Sequence, residues 1–449
     1  MRLRTSSVIV LVVCGLALAA CGNSSDTSPS TTTAPAGGGP ATTGTPSDLR
    51  KNVPVDAPGV TATEIKVDAI TAKTNNPVGS YGTLVDGIEA YFNYRNTEDG
   101  GIYGRKLVVG KDLDDQLGSN AQRAQESLAQ DRGFATFVAT PLFTGADTLA
   151  RAGQPTFIWN INPEFAGKPT FFANNGALCF DCPGTSLPFV AQQIGAKKVG
   201  VLAYGISAQS VDCASGIKKS FEDYPTAEVV FFDDTLGYAA PVGSQVSEMK
   251  KKGVDFVATC VDLQESYTIA KELNKQGVKA VQQLPNGYDP DFVAENGELL
   301  EGSIVTPQFT AFEHEPKIPE IEKFFEWIEK QGAKPTELTA TGWQLADQFY
   351  TGLAGAGPQF SQEKVVAYLN TLTDYSNNGF LKPIDWTKAH QDPTNNPAVR
   401  PTEDCANYVK IQNGEFVSVF GKPGKPWVCF AADAPNLNDP IYRNFASGS

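Results

Sequence analysis

The feature that most constrains this chain is an alternation of short β-branched runs with helical stretches between Glu64 and about Leu300. Strands that alternate with helices build parallel sheets covered on both faces, so the fold class is α/β with doubly wound parallel sheets. Residues 64–70 read as a first strand, and 81–97 place Leu84, Val85, Ile88, Tyr91 and Phe92 at helical spacing before Gly100 and Gly101 close the element. Strands follow at 106–113, 134–140, 155–160 and 170–173, with a helix over 119–132. The order then begins again, with a helix over 184–194, a strand over 198–204 and a crossover helix over 210–224. Strands at 229–233, 255–260, 280–284 and 303–306 and helices at 242–252 and 263–276 complete a second unit.

After Pro307 the spacing predicts three helices, over 316–331, 336–355 and 361–372, suited to covering the first sheet. A segment rich in Pro and Asn then leads to a hairpin over 408–420, which would return to the second lobe. The expected organisation is lobe 1 from 59–178 plus 308–379, lobe 2 from 179–307 plus 380–435, and a C-terminal tail over 436–449.

The start of the chain reads as an export signal over residues 1–20. Arg2 and Arg4 precede an apolar run from Val8 to Ala20, too short to span a bilayer. Leu18-Ala19-Ala20-Cys21-Gly22 resembles the bacterial lipobox, which makes Cys21 the expected lipidated residue and places the protein outside the cell membrane, anchored to its outer face. Residues 21–58 are then the lipidated cysteine and a tether of Ser, Thr, Pro, Gly and Ala that buries too little apolar surface to order itself.

Loss of residues 1–20 removes two arginines and no acid, taking the net charge from −14 to −16. A phosphate polyanion would be repelled, so nucleic acid is not a partner. About 390 residues beyond the tether are comfortable for two lobes. Besides Cys14 and Cys21, six cysteines remain, an even number suited to three disulfides in an oxidising compartment. Spacing favours Cys405 with Cys429 across a C-terminal hairpin and Cys179 with Cys182 as a small clamp, leaving Cys213 for Cys260. In a doubly wound sheet the first crossover helix and the end of the third strand meet at one edge, which also favours that last pair. Connectivity stays open on sequence alone, and a redox or zinc role for Cys179 and Cys182 is its alternative. With only His314 and His390 in the chain, no metal and no cofactor is expected.

Glu64-Ile-Lys-Val67 followed by Gly79-Ser-Tyr-Gly82, then Asp99-Gly-Gly-Ile-Tyr-Gly-Arg-Lys-Leu107, Asn162-Pro163-Glu164, Val229-Val-Phe-Phe-Asp233 and Gly253-Val-Asp-Phe-Val257 together resemble the type I periplasmic solute-binding proteins of ABC importers, in particular the leucine/isoleucine/valine-binding branch. The resemblance covers about residues 60–430, with a longer tail around His390 to Asp404. It implies two lobes joined by a three-strand hinge, a Venus flytrap closing on a small molecule and passing it to a permease in the membrane, the receptor being a monomer.

Carried over position by position, that family's site falls on Tyr81, Thr140, Pro141, Leu142, Asn160 and Asn162 in the first lobe. In the second it falls on Ser207, Asp262, Asn286 and Tyr288. Family members that bind amino acids hold the ligand carboxylate after the third strand, where Pro141 here removes an amide donor. They hold the ammonium with a glutamate where this chain has Asn286. The expected ligand is therefore a neutral polar or apolar small molecule, or an amino-acid-like compound in which Asp262 supplies the missing charge. Trp159 reads as core.

No G-x-S-x-G elbow, phosphate loop, dinucleotide fingerprint after a strand or H-E-x-x-H motif is present, so no catalytic residue and no enzyme activity is expected. His314 and His390 read as solvated surface residues. A ligand sensor of the same fold and a secreted hydrolase are the alternatives.

Overall fold

Ile65, Val67, Ala69 and Ile70 are fully buried, as a strand covered on both faces requires. They belong to β1 (Glu64–Thr71) in the computed structural model, which describes residues 48–76, 80–161, 163–176 and 178–446. The signal residues, Cys21 and Asn162 lie outside the described residues. Helix α1 (Leu84–Glu98), β2 (Lys106–Asp114), α2 (Asn120–Leu128), β3 (Thr136–Ala139), α3 (Ala146–Arg151), β4 (Thr156–Ile158) and β5 (Phe171–Ala173) follow. The five strands pair in parallel in the order β2-β1-β3-β4-β5.

The second lobe opens with α4 (Ser186–Ile194), β6 (Lys198–Tyr204), α5 (Ala208–Asp223), β7 (Glu228–Leu236) and α6 (Gly243–Lys252). It continues through β8 (Phe256–Cys260), α7 (Leu263–Gln276), β9 (Val281–Leu284), α8 (Pro290–Leu300) and β10 (Ile304–Val305). The chain then returns to cover the first sheet with α9 (Pro319–Gln331), α10 (Glu337–Ala356) and α11 (Gln362–Leu369). Strands β11 (Glu403–Ala406), β12 (Tyr408–Gln412), β13 (Glu415–Val419), β14 (Trp427–Ala431) and β15 (Ile441–Arg443) end it. The second sheet runs β13-β12-β10-β9-β8-β6-β7, its hairpin β12–β13 laid antiparallel on β10.

The late cysteines are arranged differently from the sequence expectation. Cys405 and Cys429 do not close that hairpin. They face each other across β11 and β14, in a separate antiparallel sheet whose third strand, β15, comes from the segment set apart as a tail. Cys179 is bonded to Cys182 and Cys213 to Cys260. Asp181 makes a third close group beside Cys179 and Cys182, but the two sulfurs are bonded to each other.

Residues 48–58, expected to be tether, are held against the first lobe. Arg105 is 2% exposed, and its guanidinium donates to the backbone carbonyls of Val53 (2.7 Å), Thr61 (2.7 Å) and Tyr103 (3.1 Å). A buried cation needs such acceptors, and that need orders the strip of chain supplying them.

Three crossings join the lobes, stitched by side-chain amides. Asn174 and Asn175 donate to Gln308 Oε1 at 3.3 and 2.7 Å, and Asn407 donates to the Phe309 carbonyl at 2.6 Å while accepting from the Ala311 amide at 3.1 Å. Among the described residues no helix is long and apolar enough to cross a membrane.

Neither histidine is a solvated surface residue. His314 is 4% exposed, and His390 lies against Phe165 (5.9 Å, stacked), Phe172 (5.2 Å) and Trp386 (5.1 Å). Burial in this cage pushes the His390 imidazole down to about 4. The unfolded chain binds a proton near pH 6.5 that the folded chain refuses until near pH 4, so this residue's contribution is complete above pH 6.5 and is lost as pH falls towards 4. Chemical denaturation of wild type against His390→Phe, which keeps the ring packing, is expected to show wild type losing about 2 kcal/mol more between pH 7 and 4.5. Equal losses would mean the cage tolerates the charged ring.

Candidate functional site

Open α/β sheets bind ligands at the carboxyl ends of their strands. In this molecule the two sets of strand ends face each other. Gln209, at the start of α5, donates its Nε2 to the Pro141 carbonyl beyond β3 at 3.2 Å, a direct contact between the lobes. Tyr81, preceding α1 and fixed by its amide to the Ala72 carbonyl at 2.8 Å, lies close enough to Asp262 and Tyr238 of the second lobe for their charges to act on its phenol. Burial first and Asp262 second push that phenol well up.

On the second lobe a hollow of about 160 Å³ is lined by Tyr204, Tyr238, Asp262, Gln264, Glu265 and Lys271, among others. The rings of Tyr204 and Tyr238 meet edge to face at 4.5 Å. Tyr204 donates its hydroxyl to Asp262 Oδ2, while Asp262 Oδ1 caps α7 by accepting from the amides of Gln264 (2.8 Å) and Glu265 (3.0 Å). Glu265 is 3% exposed and its Oε1 has no hydrogen-bond partner. Burial, then the neighbouring Asp262, pushes its carboxyl up to about 7. Across the cleft Tyr81 sits edge-on to Trp159 at 5.1 Å, and the buried carboxyl of Glu337, at the start of α10, is likewise pushed up to about 7 by burial. A larger hollow of about 500 Å³ between α4 and the last residues of the chain lies away from the strand ends, so it is not where this architecture collects ligand-binding groups.

The ten residues singled out by sequence divide accordingly, Pro141 being buried beyond β3 with its carbonyl accepting from Gln209. Tyr81, Thr140, Leu142 and Asn160 stand at strand ends of the first lobe. Tyr81 is half-buried, Leu142 is exposed, and Asn160 is buried with its amide donating to the Gly176 carbonyl and its Oδ1 unpartnered. The buried Thr140 hydroxyl accepts from the Leu142 amide at 3.3 Å. Asn162 lies outside the described residues. Ser207 caps α5 by accepting from the Ser210 amide, and Asp262 caps α7 while also lining the hollow. Asn286 is an exposed turn residue at φ +50°.

Tyr288 corrects the expectation of a ring offered to the ligand. It is 1% exposed, stacked on Phe416 at 4.7 Å, with its hydroxyl donating to Glu313 and accepting from the Phe312 amide, so it belongs to the core beside the hinge. Tyr204, Tyr238, Glu265 and Glu337 were not singled out. Tyr204 closes its strand, which places it at the same rim as Asp262. Glu265 stands three residues after a capping aspartate, where an acid ordinarily serves only the helix end.

A family model described as periplasmic binding protein matches residues 64–403. The branched-chain amino acid transporter substrate-binding protein LivJ of Streptococcus pneumoniae, solved with isoleucine, shares the fold at a TM-score of 0.64 and 16% identity, covering 80% of this chain and 99% of its own. A solute-binding protein of R. palustris in complex with 4-hydroxybenzoate is 19% identical at a TM-score of 0.60, covering 79% of this chain and 95% of its own. A fatty acid ABC transporter substrate-binding protein from Thermomonospora curvata is 17% identical at 0.64, covering 84% and 95%. The chain matches none of the curated proteins.

Proposed function

As the chain belongs to the periplasmic binding protein family, we propose that it captures a small solute between its two lobes and delivers it to an ABC importer. The observation that carries this reading is the facing of two sets of strand ends across a cleft with aromatic rings on both sides, Tyr81, backed by the buried Trp159, opposite Tyr204 and Tyr238. A solute touching both lobes stabilises the closed form relative to the open one, and that difference is the signal an importer can read. Tyr81, Thr140, Leu142 and Asn160 supply the first lobe's wall, and Asp262 with the two second-lobe tyrosines supplies the other. The proteins of similar fold carry ligands as unlike as isoleucine and 4-hydroxybenzoate, so the guest is chosen by side chains at the strand ends and not by the fold.

At the start of the chain, Cys21 carries the lipid that keeps the receptor at the membrane beside its permease. The receptor works as a monomer and performs no chemistry on its cargo.

Small-angle scattering tests the central claim. Protein purified gently from cells, with its co-purifying solute identified by native mass spectrometry, is expected to be more compact than the same protein after solute removal, and to return to the compact form when solute is restored. The solute should be recovered unaltered. Identical scattering in both states, or a chemically changed solute, would end the transport reading.

A further inference from the structure

We propose that the sheet β11-β14-β15 is an arm of the second lobe that reaches past the hinge to the first lobe and restrains the cleft from opening. The inference goes beyond solute capture, because it concerns the resting balance between open and closed forms and not the guest.

The arm is seated on the second lobe. Val428 and Phe430 of β14 and the nearby Leu437 share one buried apolar cluster with Phe189 of α4 and Val201 of β6, the rings of Phe189 and Phe430 lying 5.3 Å apart. Asp404 of β11 accepts from the amide (2.7 Å) and the hydroxyl (2.8 Å) of Thr185 at the start of α4, and Gln192 of α4 donates to Asn438 at 2.9 Å. Within the arm Cys405 is bonded to Cys429 directly opposite, and Arg443 of β15 pairs with Glu403 of β11. A sheet packed and cross-linked in this way moves with the lobe that carries it.

The same arm also meets groups outside the second lobe, at three places. In the loop before β14 the Gly424 amide donates to the Glu315 carbonyl at 3.0 Å. The Trp427 indole N–H donates to the Thr310 hydroxyl at 3.0 Å, and that hydroxyl donates in turn to the Gly379 carbonyl at 2.8 Å. Beyond β15 the Ser376 hydroxyl donates to the Phe445 carbonyl at 3.5 Å, and a β-carbon on Gly379 would stand 2.3 Å from the Ala446 amide nitrogen. Thr310 lies on a crossing between the lobes. Ser376 and Gly379 are held on the first lobe by their neighbours, Tyr375 donating to Asp347 of α10 at 2.9 Å and Phe380 lying 5.7 Å from Phe324 of α9.

Two bodies that touch at one point can pivot on it. Tied at three separate places, they cannot swing about one without straining the others. Trp427 and Thr310 are each 1% exposed, so a donor or acceptor parted there finds no water ready to replace its partner. These contacts occur in the form in which the strand ends of the two lobes face each other and Gln209 meets Pro141. Contacts present in that form and lost on opening favour it, as a solute bridging the lobes does. A sheet that only covered the second lobe would have no use for Ser376 and Gly379. Strands β14 and β15 also lie beyond the stretch that matches the family, residues 64–403. The arm thus raises the fraction of solute-free protein already able to bind, and with it the apparent affinity for whatever solute is carried.

The test measures the distance between lobes in solute-free protein. Nitroxides at Asp147→Cys on α3 and Ala208→Cys on α5, both exposed, are read by double electron resonance in the mature chain carrying Cys21→Ser, its three disulfides intact. Truncation after Arg443 removes Phe445 and Ala446 and keeps β15 whole, and is expected to raise the ratio of long to short distances about tenfold. Trp427→Phe, which keeps a ring and loses the indole N–H, should raise it about fivefold. Asp433→Ala, exposed beyond β14, should leave it unchanged. If the truncated chain melts far below wild type, Trp427→Phe decides alone. Unchanged distances in folded Trp427→Phe, shorter distances in either variant, or an equal shift in Asp433→Ala would each overturn the inference. A solute that drives closure while these ratios stay fixed would remove the arm and leave solute capture intact.

Discussion

Replacing Cys213 and Cys260 together by alanine is expected to cost the second lobe about 4 kcal/mol, the largest loss available from any of the three disulfides. This bond spans 47 residues, against 24 for Cys405–Cys429 and 3 for Cys179–Cys182, and the chain entropy removed from the unfolded state grows with that span. It also ties the start of α5 to the end of β8, at the edge where Tyr204 and Asp262 leave their strands. Amide hydrogen exchange is the suitable measurement, because two lobes need not unfold together. Amides of β6 and β8 should lose about three orders of magnitude of protection, at 1.4 kcal/mol per factor of ten. Those of β1 and β3 should be unchanged. A loss confined to less than one order would mean that packing, not the covalent tie, fixes this edge.

What the sequence made legible were the elements whose signals are local. The strand over 198–204 and the helix over 263–276 occur with those bounds, because the helix starts at a capping aspartate and ends at Gly277 in the left-handed region. Helix α8 carries an equally local start, with Asp289 accepting from the Phe292 amide and Pro290 in the first turn, yet no element is assigned there from the sequence. Strands β11, β14 and β15 had no such signal. Each is short, and β11 pairs with β14 only after the whole β12–β13 hairpin has intervened.

The site follows the same division. Positions at strand ends follow from the family resemblance carried along the strand and helix order, which is how Tyr81 and Asp262 were reached. The same carry-over misplaced Tyr288, because it gives a residue's place on the sheet and not the neighbours that bury it. His390 was misread for that reason: its cage is drawn from Phe165, Phe172 and Trp386, on three separate stretches of chain. Glu265 was hidden by its good fit to a helix-capping role.

Gly342 is the remaining case in which local reasoning points the wrong way, and it sets the second large expectation. Inside a helix, glycine costs about 1 kcal/mol relative to alanine, so propensity alone would have Gly342→Ala stabilise α10. A β-carbon there would stand 2.1 Å from the Leu84 carbonyl oxygen, and one at Gly87 would stand 2.0 Å from the Thr339 carbonyl oxygen. Both obstacles are backbone, so α1 and α10 would have to separate across the first lobe's core. Either Gly342→Ala or Gly87→Ala is expected to lose about 3 kcal/mol net, since overpacking against main chain has no side chain to turn aside. Gly118→Ala, where nothing lies within 4 Å, should be close to neutral. The pair should lose less than the sum of the singles, because once one β-carbon has parted the helices the second meets an opened crossing. Thermal melting of the three singles and the double checks this, and full additivity would mean that the two close approaches are independent. Glu337, one turn before Gly342, is tied through its amide to the Tyr288 carbonyl beside the hinge at 3.1 Å. Helix separation should therefore also weaken ligand-driven closure, although neither glycine lines the cleft.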